Sequence, residues 1–163
     1  MHYFNDKKQI LALENLHSKE LMHTDLKPSK FAIGNGDQSN KLFLLGLDFC
    51  ERVSIPKLNR SKSGTPRKLR INENMFSSLN IHTGEGLRAK RIRIVNFVIA
   101  ISFRDDLESL SYIVIYLFTG GKFFKNVPYE LGNPKKSRDA LVSLKTNILS
   151  EILLSGIPRI VLF

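Results

Sequence analysis

Between Leu107 and Leu117 the sequence LESLSYIVIYL sets Leu107, Leu110, Ile113, Val114 and Leu117 at helical spacing, and several of the positions between them are apolar too. A helix with so wide an apolar surface cannot rest on the outside of a domain, so the rest of the chain has to wrap around it. This helix, beginning after Arg104 and stopped by Gly120 and Gly121, is therefore expected at the centre of the fold. With 163 residues, 42% hydrophobic and 25% charged, one domain with a real core is the expectation.

The other elements follow from changes of period. Ile10, Leu13, Leu16 and His17 recur at helical spacing behind Asn5 and Asp6, either of which can cap, so an amphipathic helix should end near Ser18. FAIG and KLFLLGLDF are short apolar runs separated by the turn-rich NGDQSN, which predicts a hairpin with strands near Phe31–Ile33 and Lys41–Leu45. From Ser54 to about Asn74 the chain is basic and carries Pro56, Gly64 and Pro66, as a long surface loop does. A last helix from about Ser137 sets Leu141, Leu144, Ile148 and Ile152 on one stripe before Gly156 and Pro158. The longest apolar run, Ile94 to Phe103, is about half of the roughly 20 residues a membrane-spanning helix needs. It reads as a buried strand or helix, and no membrane span is expected.

The formal charge of +10 is unevenly spread. From Lys57 to Arg93, Lys57, Arg60, Lys62, Arg67, Lys68, Arg70, Arg88, Lys90, Arg91 and Arg93 face only Glu73 and Glu85, ten minus two, or about +8. By charge alone, such a segment suits nucleic acid, an anionic surface or phosphorylated substrates. Nucleic acid is a poor fit, since stacking aromatics do not alternate with the basic residues and no nucleic-acid module motif occurs. One cysteine, Cys50, excludes an internal disulfide framework, and the opening MHYFNDKKQI lacks a basic-then-apolar signal region. An intracellular protein, cytoplasmic or nuclear, is expected.

Chemistry enters at HTDLKPSK, His23–Lys30, between the first helix and the hairpin. A second aspartate, Asp48, closes the hairpin in LGLDFC. Two carboxylates on rigid flanks can converge. In phosphoryl transfer one carboxylate orients the attacking hydroxyl and accepts its proton, another holds magnesium, and a lysine offsets charge on the transferred group. Asp25, Asp48 and Lys27 are of the right types for those roles.

These motifs, in this order, resemble the carboxyl-terminal lobe of a eukaryotic protein kinase, and specifically the casein kinase I family. HTDLKPSKFAIG resembles that family's catalytic loop and following strand, and LDFC resembles its Asp-Phe-Gly element. FSSLNIHTGEG followed by RDDLESLSY resembles its Ser-Ile-Asn segment and central helix. The resemblance implies a protein-kinase-like α+β fold, mostly the α-helical lobe with a small β-hairpin after the catalytic loop. It implies ATP-dependent phosphorylation of serine or threonine in a protein, with Asp25 as catalytic base, Lys27 on the γ-phosphate and Asp48 as magnesium ligand. Asp106 would hold the catalytic-loop backbone, and His23 would pack beneath that loop. ATP and magnesium are the implied cofactors.

The departures shape the expectation equally. Lys30 stands where the family has an asparagine that coordinates a second magnesium, and an ammonium has no lone pair to offer a metal. Thr24 replaces the arginine before the catalytic aspartate, and Cys50 replaces a glycine able to take positive φ. No Gly-rich loop, strand lysine or helix glutamate of the family's amino-terminal lobe has a counterpart. The stretches at about 67–75 and 87–103 also match the family poorly and read as inserts. The expectation is a partial kinase domain over residues 1–163, truncated and inactive alone. The alternative is a noncatalytic, pseudokinase-like module holding acidic or phosphorylated partners through its basic segment.

Overall fold

A computed structural model describes residues 6–52, 72–83, 102–127 and 134–147. The ten basic residues between Lys57 and Arg93 lie outside the described residues, as do the apolar run up to Ile101 and Ile148, Ile152, Gly156 and Pro158.

Helix α1 spans Asp6–His17 and packs against the hairpin and the central helix. Its buried stripe is Gln9, Leu13 and Leu16, one helical face at spacings of four and three. Ile10, expected on that face, is 49% exposed, because the stripe is narrow and centred one residue earlier. After a turn through Glu20, which takes φ 58°, the chain forms strand β1, Leu21–Met22.

The predicted hairpin is formed by β2, Phe31–Ile33, and β3, Leu42–Leu44, antiparallel with Phe31 opposite Leu44 and Ile33 opposite Leu42. Strand β4, Glu51–Arg52, then pairs antiparallel with β1, Met22 opposite Glu51. This pairing has a functional consequence. It closes the chain between residues 23 and 50 into one loop, so the segment leaving β1 at His23 lies beside the segment entering β4 at Cys50. The sequence did not reveal β1 and β4, since two-residue strands are too short to show a period.

Helix α2 is the short Leu79–Thr83 and α3, Phe103–Phe118, is the central helix. Ser102 caps α3 in a reciprocal capping box with Asp105. Ile113 is fully buried, and Leu110, Tyr112, Val114 and Ile115 join it in a core completed by Leu13, Leu26, Phe76, Phe124 and Leu141. Phe76 meets both Tyr116 and Phe124 edge to face at 5.3 Å. Leu107, expected on the buried face, is 44% exposed, because the buried positions of the first turns are polar: Asp105, Asp106 and Ser109. Helix α4 spans Pro134–Thr146, three residues earlier than the expected start at Ser137, since proline fits the first helical turn, where its missing N–H costs nothing. Among the described residues no helix is long and apolar enough to cross a membrane.

Candidate active site

The loop after β1 is built on one carboxylate. Asp106, 2% exposed at the start of α3, accepts the backbone N–H of His23 at 2.8 Å and of Thr24 at 3.2 Å. His17, on the last turn of α1, reaches the same carboxylate at 2.9 Å and stacks on Phe103. A buried carboxylate needs such donors, and these come from a helix end and a loop far apart in sequence. They also stabilise an uncommon backbone. Thr24 takes φ 62°, a region a β-branched residue rarely enters, and its hydroxyl donates to the Phe49 carbonyl at 2.9 Å.

His23 is fully buried. Its Nε2 lies 2.9 Å from the Leu45 carbonyl, which can only accept, so Nε2 carries the proton. Its Nδ1 then accepts the Asp25 N–H at 3.3 Å. The imidazole therefore joins the hairpin to the loop and orients the backbone of Asp25.

Asp25 is 1% exposed and ringed by donors. Lys27 Nζ stands 3.2 Å and Lys30 Nζ 3.3 Å from Oδ2, while the side-chain amide of Asn74 donates to Oδ1 at 3.1 Å. Burial by itself would raise the pKa of this carboxyl. Lys27, which donates to Oδ1 at 3.3 Å, and the positive charges of Lys27 and Lys30 outweigh burial and hold it below the ordinary carboxylate range. Asp25 is thus an anion at neutral pH, and a weaker base than a free carboxylate.

Asp48 lies in the 3₁₀ turn Leu47–Phe49 and is exposed. Cys50, beside it, has extended backbone at φ −61°. Burial, followed by the negative charges of Asp106 and Asp48, pushes the Cys50 thiol up to about 11, so it is protonated and unreactive at neutral pH. Among the described residues no three His, Cys, Asp or Glu side chains gather as a metal site. Asp48 is thus the candidate cation ligand without a described carboxylate cluster around it, and the oxygens of a bound phosphate and water would have to complete its coordination.

A second polar cluster underlies the segment that carries Asn74. Lys145 of α4 is 3% exposed, and its ammonium donates to the Ser77 carbonyl, lies 2.9 Å from His82 Nε2 and sits 4.2 Å from the centre of the Tyr112 ring. His82 Nδ1 meets Glu73 Oε1 at 2.9 Å, and Arg138 grips Glu73 with two hydrogen bonds of 2.8 and 2.6 Å. Burial pushes the Lys145 ammonium down to about 7, against the attraction of Glu108 and Glu73. Burial, then the charge of Lys145, lowers the His82 pKa, while Glu73 opposes both. Glu108 in turn accepts the Leu79 N–H and the Tyr112 hydroxyl, and Asp105 accepts the Ser78 hydroxyl at 2.6 Å.

Residues 72–83 are therefore held by α3 and α4 on one side and touch Asp25 on the other. Sequence reasoning missed Asn74, Glu73 and Lys145. Asn74 and Glu73 lie in a stretch read as an insert, with no pattern to mark them. Lys145 did carry a signal, being a lysine four residues after Leu141 on an otherwise apolar helical stripe. No protein-family model matches the chain.

Proposed function

We propose that the loop His23–Lys30 is the catalytic loop of a casein-kinase-I-like serine/threonine protein kinase domain, descended from an ATP-dependent phosphotransferase. The observation that carries this reading is the juxtaposition of a buried Asp25 with Lys27 at 3.2 Å, on a loop whose backbone is bound by Asp106 of the central helix. In that reading Asp25 would accept the proton of a substrate hydroxyl, Lys27 would stabilise the charge of the phosphoryl group, and Asp48 would hold magnesium, which would supply positive charge on the nucleotide phosphates. Turnover by this chain alone is expected to be slight, because two ammoniums and an amide already occupy the carboxylate that must accept the proton.

Thermal unfolding with magnesium and ATP tests the reading. At ATP tenfold above its Kd the chain gains about 1.4 kcal/mol of stability, and Asp48→Asn removes that gain. No stabilisation by any ATP concentration would reject a nucleotide site. The +8 segment between Lys57 and Arg93 favours a second reading, a noncatalytic module for acidic or phosphorylated protein partners. That reading predicts binding of acidic peptides that weakens steeply with salt, whether or not ATP binds.

A further inference from the structure

One carboxylate oxygen in this site carries two cations. Lys27 and Lys30 approach Oδ2 of Asp25 to 3.2 and 3.3 Å, so the three side chains together hold a net charge of one positive unit. The carboxylate is the floor of the cluster, at 1% exposure, whereas the lysine side chains are 34% and 16% exposed. Each ammonium has three N–H donors, and Asp25 cannot use all of them.

The Lys30 side chain lies along the Gly46 backbone, where a Cβ would meet its Nζ at 2.3 Å and the ammonium would have to shift. Gly46 takes φ +80°, a conformation that favours glycine whatever the space. The Phe49 ring borders the same ammonium, its centre 5.7 Å away. The backbone agrees, since Lys30 accepts the Leu45 N–H at 2.8 Å beside the hairpin. A fixed ammonium next to Asp25 also repels a divalent cation from that spot and itself brings positive charge to it.

We propose that Lys27 and Lys30 form a binding site for a phosphate monoester dianion that needs no divalent cation. Lys30 supplies at Asp25 the charge that a metal would otherwise bring. A dianion with tetrahedral oxygens engages both ammoniums at once, which a monoanion cannot do as well. The inference rests on the phosphotransfer reading only in its choice of phosphate as the anion.

The test is calorimetric titration of the full chain with inorganic phosphate, in EDTA and again in magnesium. The expected affinity is the same in both, Lys30→Met weakens it at least about tenfold, and Lys30→Arg largely restores it. Unfolding curves for each variant establish that it is folded, and the arginine variant keeps the charge where a methionine disturbs packing. Phosphate binding that requires magnesium, or that survives Lys30→Met, overturns the proposal. Titration with ADP and with a phosphoserine peptide in EDTA separates nucleotide from protein as the source of the phosphate, tighter binding of either being a supporting result. If magnesium and ATP stabilise the chain but phosphate does not bind in EDTA, this inference falls and the phosphotransfer reading stands. Phosphate binding in EDTA without stabilisation by magnesium and ATP has the reverse meaning.

Discussion

Asn74 donates its side-chain amide to Oδ1 of Asp25 at 3.1 Å, across 49 positions of the chain. The orientation of that amide is fixed, because its own oxygen accepts the Phe76 N–H at 2.8 Å. The Asn74 backbone N–H goes to the Ser77 hydroxyl at 2.9 Å, which folds the segment into a turn before it meets the acid. Replacing Asn74 by alanine leaves buried partners unpaired and is expected to cost about 1–3 kcal/mol, read as a lower urea midpoint. Asn74→Asp sets a second carboxyl against Asp25, so the pair should take up a proton at higher pH than Asp25 alone. Carboxyl carbon shifts followed by NMR would show this, and an unmoved titration would refute the contact.

Lys145 makes stability depend on alkaline pH. Its folded pKa of about 7 lies below the ordinary 10.5, so between those values the unfolded chain holds a proton that the folded chain has released. Stability should therefore rise as pH increases through that window, by at most about 5 kcal/mol from this group. His82 acts in the same sense below 6.5, its folded pKa being depressed, so acidification destabilises the protein further. Unfolding free energies measured from pH 6 to 10 check the slope, and Lys145→Met should flatten it.

Gln9 is fully buried, and neither its amide nitrogen nor its oxygen has a hydrogen-bond partner among the described residues. Such a group costs free energy that an apolar residue of similar size does not. Gln9→Leu should raise stability by about 1–3 kcal/mol in urea unfolding. A loss of stability would mean that the amide has a partner.

Cys50 is the single cysteine of the chain, so its ionisation can be followed without interference. With the thiol raised to about 11, its reaction with a disulfide reagent should remain slow at pH 8 and accelerate only toward pH 11. Fast labelling at pH 8 would contradict its burial beside Asp48 and Asp106.

Asp106→Ala removes the acceptor of two buried backbone N–H groups and the partner of His17. The expected loss is about 3 kcal/mol or more. Hydrogen exchange at the amides of His23 and Thr24 should quicken more than at Ile113, since the loop loses its support while the core of α3 remains packed.

Periodicity was enough to find α1, the hairpin, α3 and α4, because each repeats an apolar face over several residues. Strands β1 and β4 escaped it, each being two residues long and defined only by the other. The exposed Ile10 and Leu107 show the same limit from the opposite side: a residue can fit an apolar period while its neighbour takes the buried place. Of the candidate site, His23, Asp25, Lys27, Asp48 and Asp106 were legible as residue types in a spaced order. Asn74 was not, since its role depends on a contact across the fold.

The sequence by itself determined the central helix, the hairpin and the acid-bearing loop between them, because local spacing and turn chemistry encode such elements. Only the tertiary structure decided what surrounds Asp25. The β1–β4 pairing brings the ends of the loop together, the Lys30 side chain lies along Gly46, and residues 72–83 bring Asn74 to the acid while Lys145 is enclosed beneath them. The charge state and hydrogen bonding of a buried carboxylate are sums over neighbours in space, and those neighbours are distant in sequence.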